Sequence, residues 1–264
     1  MYKVYYGFSG QPFSKDVKLS DSYQHSFLKE LGGRLDYIKK YRGLMLLTGE
    51  PGTGKTTALR HFLSTLQDQL FLPIYIPLST VGITDFYRQL NDKLGGEPTH
   101  TKSLLFKSIQ NRILDLATNQ SRIPVIIIDE CHFMRNDNFF ELQIISNFQL
   151  DSFDPCIFIL SAQSHLNDRL SRSILSSFNQ RINIKYNLSP LGQEECKEYI
   201  LHSFRQNGVS VPIFTEAAFP AIYNISKGVL RVIGKLVTKT LFFGASNKKQ
   251  QLTEEDVFVA SKEL

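Results

Sequence analysis

No stretch of this chain comes near the ~18 consecutive apolar residues that a membrane-spanning helix requires. The longest apolar runs, at 125–128 and 157–160, are only a fraction of that length. The opening residues, MYKVYYGF, lack the hydrophobic stretch of a secretory leader. Cysteine is scarce: Cys131, Cys156 and Cys196 are odd in number and widely spaced, which argues against a disulfide framework or a zinc knuckle and favours buried thiols. The chain also lacks internal repeats and low-complexity tracts, which removes solenoid architectures. Neither sign of charge dominates strongly. Thirty Lys and Arg against 25 Asp and Glu leave +5 and a pI near 9.0, which permits an anionic partner without requiring one. The expectation is a cytoplasmic protein with no membrane segment.

What is present is alternation. Apolar runs at 44–48, 74–77, 125–129, 156–161 and 181–186 read as five strands, separated by helical spacing at 56–70, 83–94, 101–116 and 136–150. A further helix ends near Tyr41, with Ser20 or Asp21 as its cap. Strands alternating with helices predict an α/β domain with a parallel sheet covered on both faces. After Pro190 only helical spacing remains, at 193–206, 215–226, 229–244 and 253–262, which predicts a helical lid. Expected boundaries are therefore an extended N-terminal segment over 1–20 packed on the α/β domain, that domain over 21–190, and the lid over 191–264.

The chemistry concentrates at the ends of two strands. Gly49, Glu50, Pro51, Gly52, Thr53, Gly54, Lys55 and Thr56 spell GEPGTGKT, a P-loop placed between an apolar strand and a helix. Glycines let backbone N–H groups turn in around phosphates, and the helix N-terminus adds its partial positive charge. Lys55 then reaches the β and γ phosphates of ATP, the Thr56 hydroxyl ligates Mg²⁺, and Thr57 extends the loop contacts. Downstream, VIIIDE delivers Asp129 and Glu130 to the carboxyl edge of the sheet, where nucleotide sites lie. Asp129 is expected to hold the metal's hydration shell and Glu130 to orient and deprotonate the attacking water. His132 completes the form DECH, which also occurs in two-domain helicases. A chain of 264 residues is too short for two such domains, and the role of His132 stays open. No NKxD motif marks a GTPase and no LSGGQ segment marks a transporter ATPase.

Three further positions match the AAA+ pattern. Gln163, or else Ser161, ends the strand expected between the loop strand and the acidic strand, and is the first-sensor candidate. Arg181, with Arg172 as alternative, stands before the last strand, where AAA+ proteins carry a finger toward a neighbouring subunit. Arg231, in the lid sequence GVLR, is the second-sensor candidate and shares a helical face with Lys227, Lys235 and Lys239. Thr101, Lys102 and Lys107, on the helices after the second strand, are candidate DNA contacts.

The segments YYGFSGQPFS, LLTGEPGTGKTT, IIIDECH, NFQLDSFDPCIFILSAQ, NQRINIKYNLSPL and SKGVLRVI together resemble the ExeA/GspA-like AAA+ ATPases, including the short members that accompany transposases, similar to TnsC, TniB and IstB. The resemblance implies a P-loop NTPase sheet with a lid, an aromatic N-terminal segment near the adenine that includes Phe13, and action as a homo-oligomer, ring or filament. Two roles are implied. One is assembly on double-stranded DNA to recruit or activate a transposase, and the other is secretion assembly. Secretion members continue into a membrane segment and a peptidoglycan-binding region, whereas this sequence ends after the lid, so transposition is the expected role. Cys131 stands where alanine is common, and Ser161 and Ala162 replace a more usual Val-Gly.

Overall fold

The computed structural model describes residues 1–14, 23, 25–77 and 80–263 and divides the chain into two compact units. One comprises Glu30–Gly49 and Lys55–Leu188; the other comprises Met1–Lys29, Glu50–Gly54 and Ser189–Leu264. The cap residues Ser20 and Asp21 lie outside the described residues.

The first unit is built on a five-stranded sheet of order β2-β3-β4-β1-β5, from β1 Gly43–Gly49, β2 Phe71–Ile76, β3 Ile123–Ile128, β4 Ile157–Ala162 and β5 Ile182–Leu188. Every pairing is parallel. This is the expected parallel sheet, with β4 between the loop strand and the acidic strand. The order follows from the side chains. β1 and β4 are buried along their whole length, as continuous apolar runs covered on two faces must be. β5 alternates buried and exposed residues and takes one edge. β2 takes the other, where Pro73, with no N–H to offer a ladder, is tolerated.

Leu44, Leu46, Ile126, Ile128, Phe158 and Leu160 face one core with helices α4 Ile83–Lys93, α5 Lys102–Thr118 and α6 Asn136–Ile145. Leu105, Ile109, Ile113 and Leu116 form the buried stripe of α5, at the three- and four-residue spacing of one helical face. Each such side chain contributes about 1.5–3 kcal/mol by leaving water. Alternate residues of the same strands turn to the other face, where α3 Lys55–Ser64 lies against β1.

Two helices stop earlier than their spacing suggests. The first ends at Ser64 because the hydroxyls of Ser64 and Thr65 donate back to the carbonyls of His61 and Phe62, closing the last turn. The run 136–150 ends at Ile145, and Gln149, Leu150 and Asp151 all take positive φ (48°, 56° and 64°).

The second unit packs α9 Gln193–Gln206, α10 Ala218–Ser226, α11 Leu230–Ser246 and α12 Glu254–Ser261 around a separate apolar core. Its N-terminal part begins with a helix where the sequence predicts an extended segment. Tyr2–Tyr6 form a short helix, α1, closed by Gly7 in the left-handed region, and Tyr2 and Phe8 enter the core of the helical unit. Tyr2 packs edge-on to Phe242 at 4.6 Å and Phe8 to Phe204 at 5.1 Å. Two large rings bury more apolar surface in a small helical core than along a strap, and five residues are too few for periodicity to betray the helix.

Candidate functional site

β1 ends at Gly49 and α3 starts at Lys55, so the five residues between must reverse the chain tightly. Gly52 and Gly54 do so with φ of +88° and +100°. Both are also crowded: a Cβ on Gly52 would stand 2.7 Å from the Cβ of Arg231, and one on Gly54 would stand 3.1 Å from a methyl of Leu230. The Thr53 hydroxyl donates to the Glu50 carbonyl at 2.9 Å, and the Arg231 N–H donates to the Gly52 carbonyl at 3.2 Å. Arg231 itself is exposed, at the start of α11. Its stripe partners Lys227 and Lys235 are exposed too, and Lys239 is half-buried.

In the sheet unit, Lys55 is buried and its ammonium donates to the Gly49 carbonyl at 2.8 Å. Thr56 and Thr57 follow on the exposed face of the first turn of α3. The Thr56 hydroxyl donates to Oδ2 of Asp129 at 3.1 Å, across 73 residues of sequence. Asp129 directly follows β3, where its N–H still pairs with the Ile76 carbonyl at 3.2 Å. Its carboxylate is buried and accepts three hydrogen bonds: Oδ1 from the Glu130 N–H at 2.9 Å, and Oδ2 from Thr56 and from the Tyr75 hydroxyl, the latter at 3.1 Å. Burial, then the negative charge of Asp129, pushes the Tyr75 phenol up to about 12, so it stays a donor at neutral pH. Tyr75 went unnoticed in the sequence, where it reads as one more aromatic strand residue.

Glu130 occupies the left-handed region (φ 50°, ψ 33°) ahead of a 3-10 turn, Cys131–Phe133, and so turns its half-exposed carboxylate away from the strand. A non-glycine residue held there stores strain, a common feature of working sites. His132 lies buried with Nδ1 3.4 Å from the Glu130 carboxylate, and the Gln163 backbone N–H reaches the same nitrogen at 3.5 Å. Burial holds the imidazole below the ordinary histidine pKa, against the pull of Glu130, so His132 is neutral at neutral pH. All three cysteines are free and buried, and burial keeps the Cys131 thiol protonated.

Past β4, Gln163 is half-buried, whereas the Ser161 hydroxyl is fully buried. A polar network joins the carboxyl ends of β1, β4 and β5: Asn167 donates to the Thr48 hydroxyl at 3.1 Å, and the Thr48 and Ser164 hydroxyls donate to Oδ1 of Asn187 at 3.0 and 3.1 Å. Its only sequence signal is a polar residue ending an apolar strand, as at Thr48.

Two of the remaining candidates are engaged in local ion pairs. Arg181 pairs with Asp151 at 2.9 Å, while Arg172 is exposed. Lys102 pairs at 2.6 Å with Glu141, a buried carboxylate that also accepts the Tyr87 hydroxyl at 2.5 Å, so its charge is committed locally. Thr101 and Lys107 are exposed on the same region of α5. Phe13 belongs to the helical unit, with its N–H on the Ser203 hydroxyl at 3.2 Å and its ring 5.5 Å from that of Tyr199.

Among the described residues no three His, Cys, Asp or Glu side chains cluster as a metal cage. The donor set at the loop is instead a hydroxyl and a carboxylate, the hard oxygens that suit magnesium, which keeps most of its shell as water and phosphate. Magnesium fits this site. No helix of the described residues is long and apolar enough to cross a membrane.

Comparison with known proteins gives the family and the fold. The sequence model of the AAA domain family matches residues 38–170, half of the 264-residue chain. General secretion pathway protein A of Aeromonas hydrophila is 26% identical over 276 aligned positions, which take in 100% of this chain and 48% of that protein. The chain thus spans about half the length of that relative. Among solved structures, Cdc6p from Pyrobaculum aerophilum superposes with a TM-score of 0.70 at 15% identity, over 95% of this chain and 70% of that one. The Aeropyrum pernix ORC1 protein in complex with DNA gives 0.67 at 17%, over 95% and 68%. The Thermotoga maritima RuvB Holliday junction branch migration motor gives 0.56 at 21%, over 96% and 72%. At such identities the likeness is one of fold, the α/β fold of AAA+ P-loop ATPases.

Gly228, with φ +75°, tests the geometry that presents Arg231. A Cβ there would stand 2.0 Å from the backbone oxygen of Leu191, whose N–H donates to the Gly228 carbonyl at 3.0 Å. Gly228→Ala is expected to destabilise the helical unit by about 3 kcal/mol or more. Denaturant unfolding followed by circular dichroism reads this loss, and an unchanged midpoint would contradict the packing described.

Proposed function

This chain belongs to the AAA domain family, and from that premise we propose that it binds ATP with Mg²⁺ and hydrolyses it to ADP and phosphate as a homo-oligomer. The observation that carries this reading is the bond between Thr56 and Asp129, which ties the end of the glycine loop to the acidic strand. A nucleotide's metal needs a hydroxyl and a carboxylate side by side, and that bond supports such a place here.

In this reading the amides from Gly49 to Thr56 and the N-terminus of α3 receive the phosphates. Lys55 exchanges its bond to the Gly49 carbonyl for phosphate oxygens. Thr56 and Asp129 hold Mg²⁺, which, when bound, neutralises charge building on the phosphate oxygens. Glu130, raised off the strand by its left-handed backbone, positions the attacking water and takes its proton. Gln163 reports on the γ-phosphate from the end of β4, with Ser161 as the alternative. Arg231 serves as second sensor, beside Gly52 in the helical unit, and Phe13 lies toward the base. Arg181 acts as the finger after leaving Asp151, with Arg172 as the alternative. Residues 21–190 then form the nucleotide domain and 191–264 its lid.

The proposed partner is double-stranded DNA, with a transposase as the protein recruited, and the proposed compartment is the cytoplasm. This is supported by the net charge of +5, by the basic stripe along α11 and by motifs similar to the short transposition members. Among proteins of the same fold, the ORC1 protein is described in complex with DNA and RuvB as a Holliday junction branch migration motor. Lys107 is the better phosphate contact on α5, since Lys102 would first have to abandon a buried carboxylate. A second reading, secretion assembly, is favoured by one observation, the 26% identity to General secretion pathway protein A across the whole chain.

Glu130→Gln should slow ATP turnover by about 100-fold or more while leaving ATP bound; unchanged turnover would remove Glu130 from the chemistry. With a non-hydrolysable ATP analogue and Mg²⁺, duplex DNA should be shifted into a large assembly in a gel or in electron micrographs. Absence of any DNA-bound species would sink the transposition reading and leave the secretion reading standing.

A further inference from the structure

We infer that Tyr75 is a positioning residue for magnesium: its hydroxyl holds the Asp129 carboxylate in the orientation that receives the ion. The inference rests on the MgATP reading above and extends it to a residue on the edge strand.

β2 and β3 run parallel with Tyr75 opposite Ile127, and the ladder continues through the bond from the Asp129 N–H to the Ile76 carbonyl. Side chains two apart along a strand share a face, so Asp129 projects on the same side as Ile127, diagonally ahead of Tyr75. A tyrosine is long enough to cover that diagonal, and its hydroxyl arrives 3.1 Å from Oδ2. Tyr75 as a whole stays substantially exposed, at 42%, so packing alone does not explain why a phenol stands there.

The accounting at the carboxylate shows what the phenol does. Oδ1 is fixed by the Glu130 N–H, and Oδ2 is shared by Thr56 and Tyr75. A Thr56 hydroxyl that lends a lone pair to a metal keeps its O–H, but the ion then fixes where that O–H points. Tyr75 then still donates to Oδ2 and keeps the plane of the carboxylate from rotating away from the ion and its waters. A buried carboxylate that loses such a donor either swings to find another or carries the cost of desolvation. Groups that orient metal ligands in this manner change metal affinity by roughly 10-fold to 100-fold when removed.

Tyr75→Phe removes one oxygen and keeps the ring. The test is the binding of a fluorescent ATP analogue by full-length protein, titrated with Mg²⁺ and repeated in EDTA. The expected result is a rise of about 10-fold or more in the Mg²⁺ midpoint, with metal-free affinity for the analogue unchanged. In an Asp129→Asn background, Tyr75→Phe should add no further shift, because the phenol acts through that carboxylate. An unaltered Mg²⁺ midpoint overturns the inference, as does an equal loss of binding with and without metal, which would mark a merely structural role. Should the unmodified protein show no Mg²⁺-dependent binding at all, the MgATP reading itself fails, an outcome distinct from either.

Discussion

A carboxylate buried at the end of an apolar strand has to be satisfied, and the way Asp129 is satisfied organises the sheet unit's share of the site. An unpaired buried carboxylate costs several kcal/mol. Asp129 meets that cost with donors from three different parts of the chain: the next residue, the first turn of α3 and the edge strand. Each donor is there for a structural reason. Glu130 offers its N–H because the chain leaves β3 in the left-handed region. Thr56 arrives because the loop delivers α3 beside β1, and Tyr75 because β2 is in register with β3.

The sheet order converts this local requirement into a site. Parallel strands present their carboxyl ends together, so Gly49, Asp129 and Gln163 all come to one edge, from β1, β3 and the intervening β4. Apolar side chains buried on both faces hold those strands, and that packing is what positions a hydroxyl and a carboxylate 3.1 Å apart. Glu130, by contrast, is half-exposed and backed by a neutral imidazole. The two acids of one dipeptide therefore differ in environment, and in the proposed function that difference separates metal holding from proton transfer.

Much of this was legible in the residues. The five strands and the helices between them could be read because apolar period and turn residues agree along 43–188. The loop and the acidic pair could be read because their chemistry demands particular residue types at fixed spacing. Contacts made by ordinary residues could not be read. Tyr75 is an unremarkable strand aromatic until register brings it to Asp129, and the Thr48, Asn167 and Asn187 network needs three strand ends to meet. Likewise the commitment of Lys102 to Glu141 depends on how α5 lies against α6, which no local pattern encodes. The N-terminal helix was hidden by its brevity, and its aromatic residues pack in the core of the helical unit.

In the function proposed here, one glycine loop and one buried carboxylate gather a nucleotide's phosphates and metal. A structure determined with a non-hydrolysable ATP analogue and Mg²⁺ tests it most directly. The account predicts phosphate density along residues 49–56 and a metal ion between Thr56 and Asp129. Phosphates bound elsewhere, or a loop left empty at saturating nucleotide, would contradict it.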